Sequence, residues 1–177
     1  MGEKTYSVIQ EAQEIVVDLC NAYPEELCAV SPHSIVVLGI ENDPPEGKTW
    51  LARVCSLTGA VKTILELANS NAKYYIECYW AEWKTWDETK RQWIMFHELL
   101  HIPLHSKGLV KHDVEDFAGI IDVLGPLWTS RQFLPDMLVG EKVPFKKELF
   151  RRLHADKDSQ DSGGPPIASS KPDLELL

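Results

Sequence analysis

The sequence predicts an α+β fold, in which a small and mostly antiparallel sheet packs on an N-terminal helix and on a helix that carries the pattern His-Glu-Leu-Leu-His. Two observations predict this fold class. Short segments rich in β-branched and aromatic residues are bounded by turn residues, as is typical of strands. In the segments around them, apolar residues recur every three or four positions, as on one face of a helix.

The chain comprises 177 residues, which is enough for one domain with a hydrophobic core. We expect this domain to span residues 1–155 and a disordered tail, rich in Ser, Gly, Pro and Asp, to span residues 156–177. The formal net charge of −9 disfavours non-specific binding to nucleic acid. No feature of the sequence indicates an oligomeric state.

The sequence contains neither a transmembrane segment nor a secretory signal, so we expect a cytoplasmic protein that does not contact the membrane. A membrane-spanning helix needs a run of about eighteen apolar residues, and none is present. The N-terminus, Met1–Tyr6, lacks the apolar core of a signal peptide. The cysteines, at positions 20, 28, 55 and 78, form no C-x-x-C pair. Free buried thiols are therefore expected, rather than a zinc ribbon or disulfides.

The first segment is predicted to be a helix. Ser7-Val-Ile-Gln10 matches a capping box, and apolar residues then recur at helical spacing, which predicts a helix over 7–22 that ends near Tyr23. Strands and a short helix follow. The predicted strands are 34–40, 49–55 and 73–80, and the predicted helix is 58–68. The aromatic residues of 73–80 could serve nucleic-acid stacking, but the acidic net charge favours a packed sheet.

Two further helices are predicted in the second half of the chain. Thr85-Trp-Asp-Glu88 is another capping box and predicts a helix over 86–104, with Pro103 at its end. Asp113 can cap a third helix, which Gly125 and Pro126 end. The basic segment 145–154 is predicted to be an amphipathic surface helix, and a solvated face is favoured over a phosphate-binding site.

The pattern His97-Glu98-Leu-Leu-His101 predicts a metal site. On a helix, residues four apart share one face, so the two imidazoles can bind one metal ion, and Glu98 can contact a metal-bound water. Apolar residues surround the motif, which indicates a buried helix. Burying two histidines and a glutamate is unfavourable unless they are paired, and a metal ion would pair them.

A catalytic zinc ion usually takes three protein ligands and leaves one position to water. The candidates for the third ligand are His105, His112, Asp113, Glu115 and Asp116. His112 is favoured, because the loop containing Gly108 allows the chain to turn back to the metal. His105 would be strained, and the acidic candidates would have to reach the metal from the next segment. With His112 as a ligand, Asp116 could accept a hydrogen bond from one of the imidazoles, and Asp113 could act as a helix cap.

With these residues in view, the chain resembles the phage metallopeptidase family. The residues that carry the resemblance are His97–Ile102, His112–Phe117 and Gly125–Trp128, preceded by Ala52–Val54 and Tyr75–Glu77. The resemblance covers roughly residues 30 to 130. The family is similar to minimal zincins, including the SprT-like proteases, which also take a third histidine shortly after H-E-x-x-H. It therefore implies a minimal zincin-like fold.

The resemblance implies a zinc-dependent peptidase from a phage or prophage, which would act on a protein or peptide in the cytoplasm of a bacterial or phage-infected cell. His97, His101 and His112 would bind Zn²⁺, and Glu98 would be the general base. An extended substrate could add to the edge of the sheet, and Tyr74, Tyr75 or His105 could stabilise the oxyanion.

Two alternatives remain open at this stage. The chain could be a non-catalytic module of a mobile element, in which the metal stabilises an interaction or regulatory domain. It could also hydrolyse a non-peptide bond.

Overall fold

The computed structural model describes residues 4–67, 70–103, 108–112 and 116–150. The described residues form four strands and five helices, so the predicted α+β fold is confirmed. The strands are β1 (Tyr6–Val8), β2 (Ile35–Ile40), β3 (Ala52–Ser56) and β4 (Tyr74–Tyr79). The helices are α1 (Gln10–Ala22), α2 (Gly59–Leu67), α3 (Trp80–Trp83), α4 (Glu88–Leu100) and α5 (Ala118–Leu124).

The four strands form one sheet in the order β1-β2-β4-β3. β2 and β4 are parallel, whereas β1 pairs with β2 and β3 pairs with β4 in antiparallel fashion. The sheet is therefore mostly antiparallel, as predicted. This order leaves β3 at one edge of the sheet.

The core lies between one face of the sheet and the helices α1 and α4. α1 contacts β2 and α4, and α4 also contacts β3. The sheet contributes apolar side chains such as Val37, Val54 and Ile76, which are buried. These contacts place the middle of α4 directly against the edge strand.

α4 is the central helix. All of its residues from Gln92 to Leu100 are buried except His97, which is partly exposed. A helix that is apolar on all sides belongs in the interior of a protein. The loop at 135–137 crosses α4, because Trp93 Nε1 donates to the carbonyl of Pro135 at 2.8 Å and the amide of Met137 donates to Gln92 Oε1 at 2.9 Å.

Both predicted capping boxes are wrong. Ser7 lies in β1, where it pairs with Gly39, and α1 begins at Gln10 with Ile9 in the capping position. The pairing of β1 with the open edge of β2 satisfies more backbone groups than one side-chain cap, which explains the outcome. α4 is capped by Asp87, which accepts from the amide of Lys90 at 2.7 Å.

Thr85 instead follows the short helix α3, which the sequence did not predict, and its hydroxyl donates to the carbonyl of Glu82. At the other end, α4 finishes at Leu100, four residues before the predicted boundary.

The C-terminal part of the described chain also differs from expectation. Phe145 stacks on Phe96 with ring centroids 5.1 Å apart, and Phe150 is buried in a 3-10 turn over Lys147–Phe150. The aromatic side chains of this part of the predicted surface helix are thus packed against the core, whereas Lys146 and Glu148 are exposed. The rest of that helix and the predicted tail lie outside the described residues.

The predicted cap of the third helix is wrong, because α5 begins at Ala118 with Phe117 in the capping position rather than after Asp113.

The four cysteines are free thiols, as predicted, but only Cys78 is buried; Cys20 and Cys55 are partly exposed and Cys28 is exposed. In the part of the chain that the structure describes, no helix combines the length and apolar character needed to cross a bilayer.

The contact between Gly39 and Trp80 generates a prediction about stability. A Cβ atom at Gly39 would lie 2.5 Å from Trp80 Nε1, the nitrogen that donates to the hydroxyl of Ser7. We expect Gly39→Ala to lower the free energy of unfolding by about 1–3 kcal/mol, as overpacking does in other cores. Urea unfolding measures this value. The same substitution in a Trp80→Leu background should cost clearly less, and equal costs in the two backgrounds would refute the steric explanation.

Candidate metal centre

α4 places His97 and His101 on one face, four residues apart, with ring centroids 5.1 Å apart. His112 comes from the segment that follows the helix. Its Nε2 atom lies 3.0 Å from Nε2 of His97 and 3.2 Å from Nε2 of His101. Nitrogens bound to one tetrahedral zinc ion at the usual bond length are about 3.3 Å apart, so this spacing suits a single ion.

A double contact between His101 and Val110 returns the chain to α4. The amide of Val110 donates to the carbonyl of His101 at 2.7 Å. The side chain of His101 donates from Nδ1 to the carbonyl of Val110 at 2.6 Å. These two bonds place His112, two residues later, over the C-terminal turn of the helix.

The same hydrogen bond sets the tautomer of His101. With the proton on Nδ1, the neutral ring turns the lone pair of Nε2 toward the other two imidazoles. Burial lowers the pKa of His101 from 6.5 to about 4, so this ring is neutral at physiological pH. A neutral imidazole is the form that binds a metal ion.

Asp116 lies behind His97, where its Oδ1 atom is 2.9 Å from His97 Nδ1. Among the described residues, no acceptor is aligned well enough for a full hydrogen bond to that nitrogen, so the contact is mainly electrostatic. Asp116 also accepts from Trp128 Nε1 at 2.5 Å and from the amide of Phe117 at 2.6 Å. Although burial raises the pKa of Asp116, the contacts with His97, Trp128 and Phe117 bring it below its ordinary value.

The three imidazoles fit a metal ion. They are the one group of three or more potential ligands among the described residues whose donor atoms lie within 4.8 Å of one another. Lone pairs that converge at this distance repel each other unless a cation or a proton lies between them. Nitrogen donors suit zinc and other divalent transition metals.

Aromatic side chains close the apolar side of the site. The Phe117 ring lies 5.4 Å, 4.8 Å and 5.2 Å from the rings of His97, His101 and His112, respectively. Trp128 lies 6.1 Å from His97. Neither residue was predicted to contact the site, although both lie in segments that carry the family resemblance.

Glu98 lies beside the histidines and is only 5% exposed. Its Oε2 atom accepts from the backbone amide of Val54, in β3, at 2.8 Å. Burial raises the pKa of Glu98, while the charge of His97 and the Val54 amide oppose the increase. A carboxylate with a raised pKa exchanges protons more readily near neutral pH.

A cleft of about 770 Å³ opens in front of these groups. One border of the cleft is formed by residues 49–54, which lie in β3 and in the segment before it. Residues 109–112 and 126–129 form the other borders. His97, Glu98 and His101 also line it. The cleft is therefore large enough for several residues of a peptide.

The structure brings together His97, Glu98, His101, His112 and Asp116, which the sequence analysis had singled out. It does not bring Tyr74 or Tyr75 into the cleft. Tyr75 lines a separate groove with Tyr6 instead. The remaining candidates, His105, Asp113 and Glu115, lie outside the described residues.

The family model described as "Putative phage metallopeptidase" matches residues 4–138, or 135 of the 177 residues. The match extends further than the resemblance seen in the sequence, because it includes β1 and α1. No curated protein and no solved structure matches the chain.

The lowered pKa of His101 generates a prediction for the metal-free protein. A histidine whose pKa is lower in the folded state stabilises the fold above its unfolded pKa and loses that contribution as the pH falls. Between pH 6.5 and about pH 4, the free energy of unfolding should therefore decrease more steeply in the wild type than in His101→Gln.

Denaturant titrations at several pH values, with a chelator present, measure both slopes. Glu98 has the opposite pKa shift, but it is present in both proteins and its contribution cancels in the difference between them. Parallel slopes would show that His101 titrates normally.

Proposed function

We propose that this chain, which belongs to the Putative phage metallopeptidase family, is a zinc-dependent peptidase with Glu98 as its general base. The family supports a metal-dependent peptidase that acts on proteins or peptides. The observation that supports zinc as the metal and Glu98 as the general base is the convergence of three imidazole nitrogens next to a buried glutamate in one open cleft.

The residues proposed to hold the ion are His97, His101 and His112. Bound zinc would supply a water of lowered pKa and polarise the scissile carbonyl. The contact of Asp116 with Nδ1 of His97, and that of Val110 with Nδ1 of His101, leave both Nε2 atoms free to bind. Such partners behind metal-binding histidines fix the ring orientation and raise the basicity of the ligand.

Glu98 is proposed to accept a proton from the attacking water and to return it to the leaving amine. The Val54 amide occupies Oε2, which leaves Oε1 to exchange the proton. This hydrogen bond also holds the carboxylate at the wall of the cleft.

A peptide is proposed to bind in extended form along β3. In an antiparallel ladder, the backbone groups of consecutive residues point to opposite sides, so every second residue points the same way. Because the Val54 amide points away from β4 and toward Glu98, the backbone groups of Ala52 and Ser56 also point to the open edge. The carbonyl of Val54 and the polar groups of Ala52 are thus available to a peptide that enters the cleft.

A non-catalytic metal-stabilised module is the competing function. A purely structural zinc site is usually closed by a fourth protein ligand. The three imidazoles line an open cleft, which would give a substrate access to the metal. This arrangement favours the peptidase.

Metal analysis tests the ligand assignment. The purified wild type should contain about one zinc ion per chain, and His112→Ala should lose most of it, because two ligands rarely retain zinc. His33→Ala is the matched control, since His33 is exposed and does not line the cleft, and it should keep the metal. Full occupancy in His112→Ala would exclude His112 as a ligand.

Proteolysis assays test the general base. Glu98→Gln should retain its metal and its fold but lose about 10²–10⁴-fold in cleavage rate, since the amide cannot accept the proton. Glu88→Gln is the matched control, because Glu88 is exposed in the first turn of the same helix. It should cleave at the wild-type rate. Undiminished cleavage by Glu98→Gln would rule out the mechanism.

A further inference from the structure

Leu127 has an unusual backbone conformation at the border of the cleft. Its φ of 56° and ψ of 28° lie in the left-handed region, and it is the one non-glycine residue with positive φ among the described residues. This conformation is unfavourable for a residue with a Cβ atom, and glycine would adopt it without strain.

The side chain of Leu127 gains little from packing, because it is 76% exposed. An exposed leucine loses the free energy of burial that most leucines contribute to folding. Neither the backbone nor the packing therefore explains a leucine here. Strained residues of this kind are often found at binding sites, where the surrounding structure enforces them.

The neighbours of Leu127 hold the backbone in place. On one side, Gly125 ends α5 and donates from its amide to the carbonyl of Ile121 at 2.7 Å. On the other side, Trp128 is buried and donates to Asp116, which contacts His97. The strained turn is thus linked to the group of imidazoles through Trp128 and Asp116.

Leu127 lines the same cleft as His97 and Glu98. Other apolar residues in the lining of the cleft include Leu109, Ile121 and Pro126. The lining therefore offers apolar side chains as well as the charged residues Arg53, Lys111 and Asp116.

We propose that Leu127 is a specificity-determining residue, whose side chain contacts an apolar side chain of the peptide close to the cleaved bond. This inference rests on the proposed peptidase function. A rigid turn that displays one leucine in a cleft gives an apolar contact at a low entropic cost, because the backbone is already ordered.

The test compares Leu127→Gly and Leu127→Asn with the wild type in the full-length, zinc-loaded protein. Glycine removes the strain and asparagine tolerates it, so both variants should fold and keep the metal. The matched control is Val139→Asn, because Val139 is also apolar and 72% exposed but does not line the cleft.

Cleavage is measured on a peptide mixture in which single positions vary between apolar and acidic residues. We expect both Leu127 variants to reduce the preference for an apolar residue by about ten-fold or more, as the loss of an apolar contact does in other enzymes. Val139→Asn should keep the wild-type preference. If the wild type cleaves and the preference is unchanged in the Leu127 variants, the inference is wrong while the proposed function stands.

Binding provides a second measurement that does not require cleavage. In a Glu98→Gln background, the affinities of a Leu-containing peptide and its Glu-substituted counterpart are compared with and without Leu127→Gly. A preference for the Leu peptide that disappears with Leu127→Gly supports the apolar contact at Leu127. If the wild type also cleaves nothing, that contact stands as a peptide-binding contact and the peptidase function fails. Equal affinities in all four combinations would overturn the inference.

Discussion

The double contact between His101 and Val110 is the constraint on which the site depends. The backbone bond fixes where the chain returns to α4, and the side-chain bond fixes which nitrogen of His101 carries the proton. Without the first bond, His112 would not be held over the helix. Without the second bond, the proton of the neutral His101 ring could lie on Nε2, and no lone pair would then face His97 and His112. His101 therefore determines both where His112 is held and which nitrogen of its own ring can bind a metal ion.

The helices and the histidine cluster were accessible to sequence reasoning because both depend on local spacing. His97 and His101 share a face of any helix that contains them, and His112 needed only a short loop to reach them. The two capping boxes failed for a different reason. Ser7 and Thr85 match a local pattern, but the pairing of β1 with β2 and the short helix α3 decide where the helices begin.

Other parts of the site depend on contacts between distant segments. The amide of Val54 meets Glu98 across 44 residues of chain, and only the packing of α4 on β3 brings them together. The Phe117 ring faces three imidazoles, two of which lie on α4 and one in the segment around Val110. The conformation of Leu127 follows from Gly125 on one side and the buried Trp128 on the other. A single sequence contains no periodicity that reports such contacts.

The hydrogen bond from Val54 to Glu98 also affects how this protein behaves in concentrated solution. An edge strand with free amides is a template on which strands of other molecules can add, and this is a route to aggregation. In β3, the central amide is already occupied and the neighbouring Arg53 is charged and exposed. The edge can therefore accept a short stretch of peptide inside the cleft, but a continuous ladder between two copies of the chain would be interrupted at its middle. The contact that orients a buried carboxylate thus also helps to keep the molecules apart.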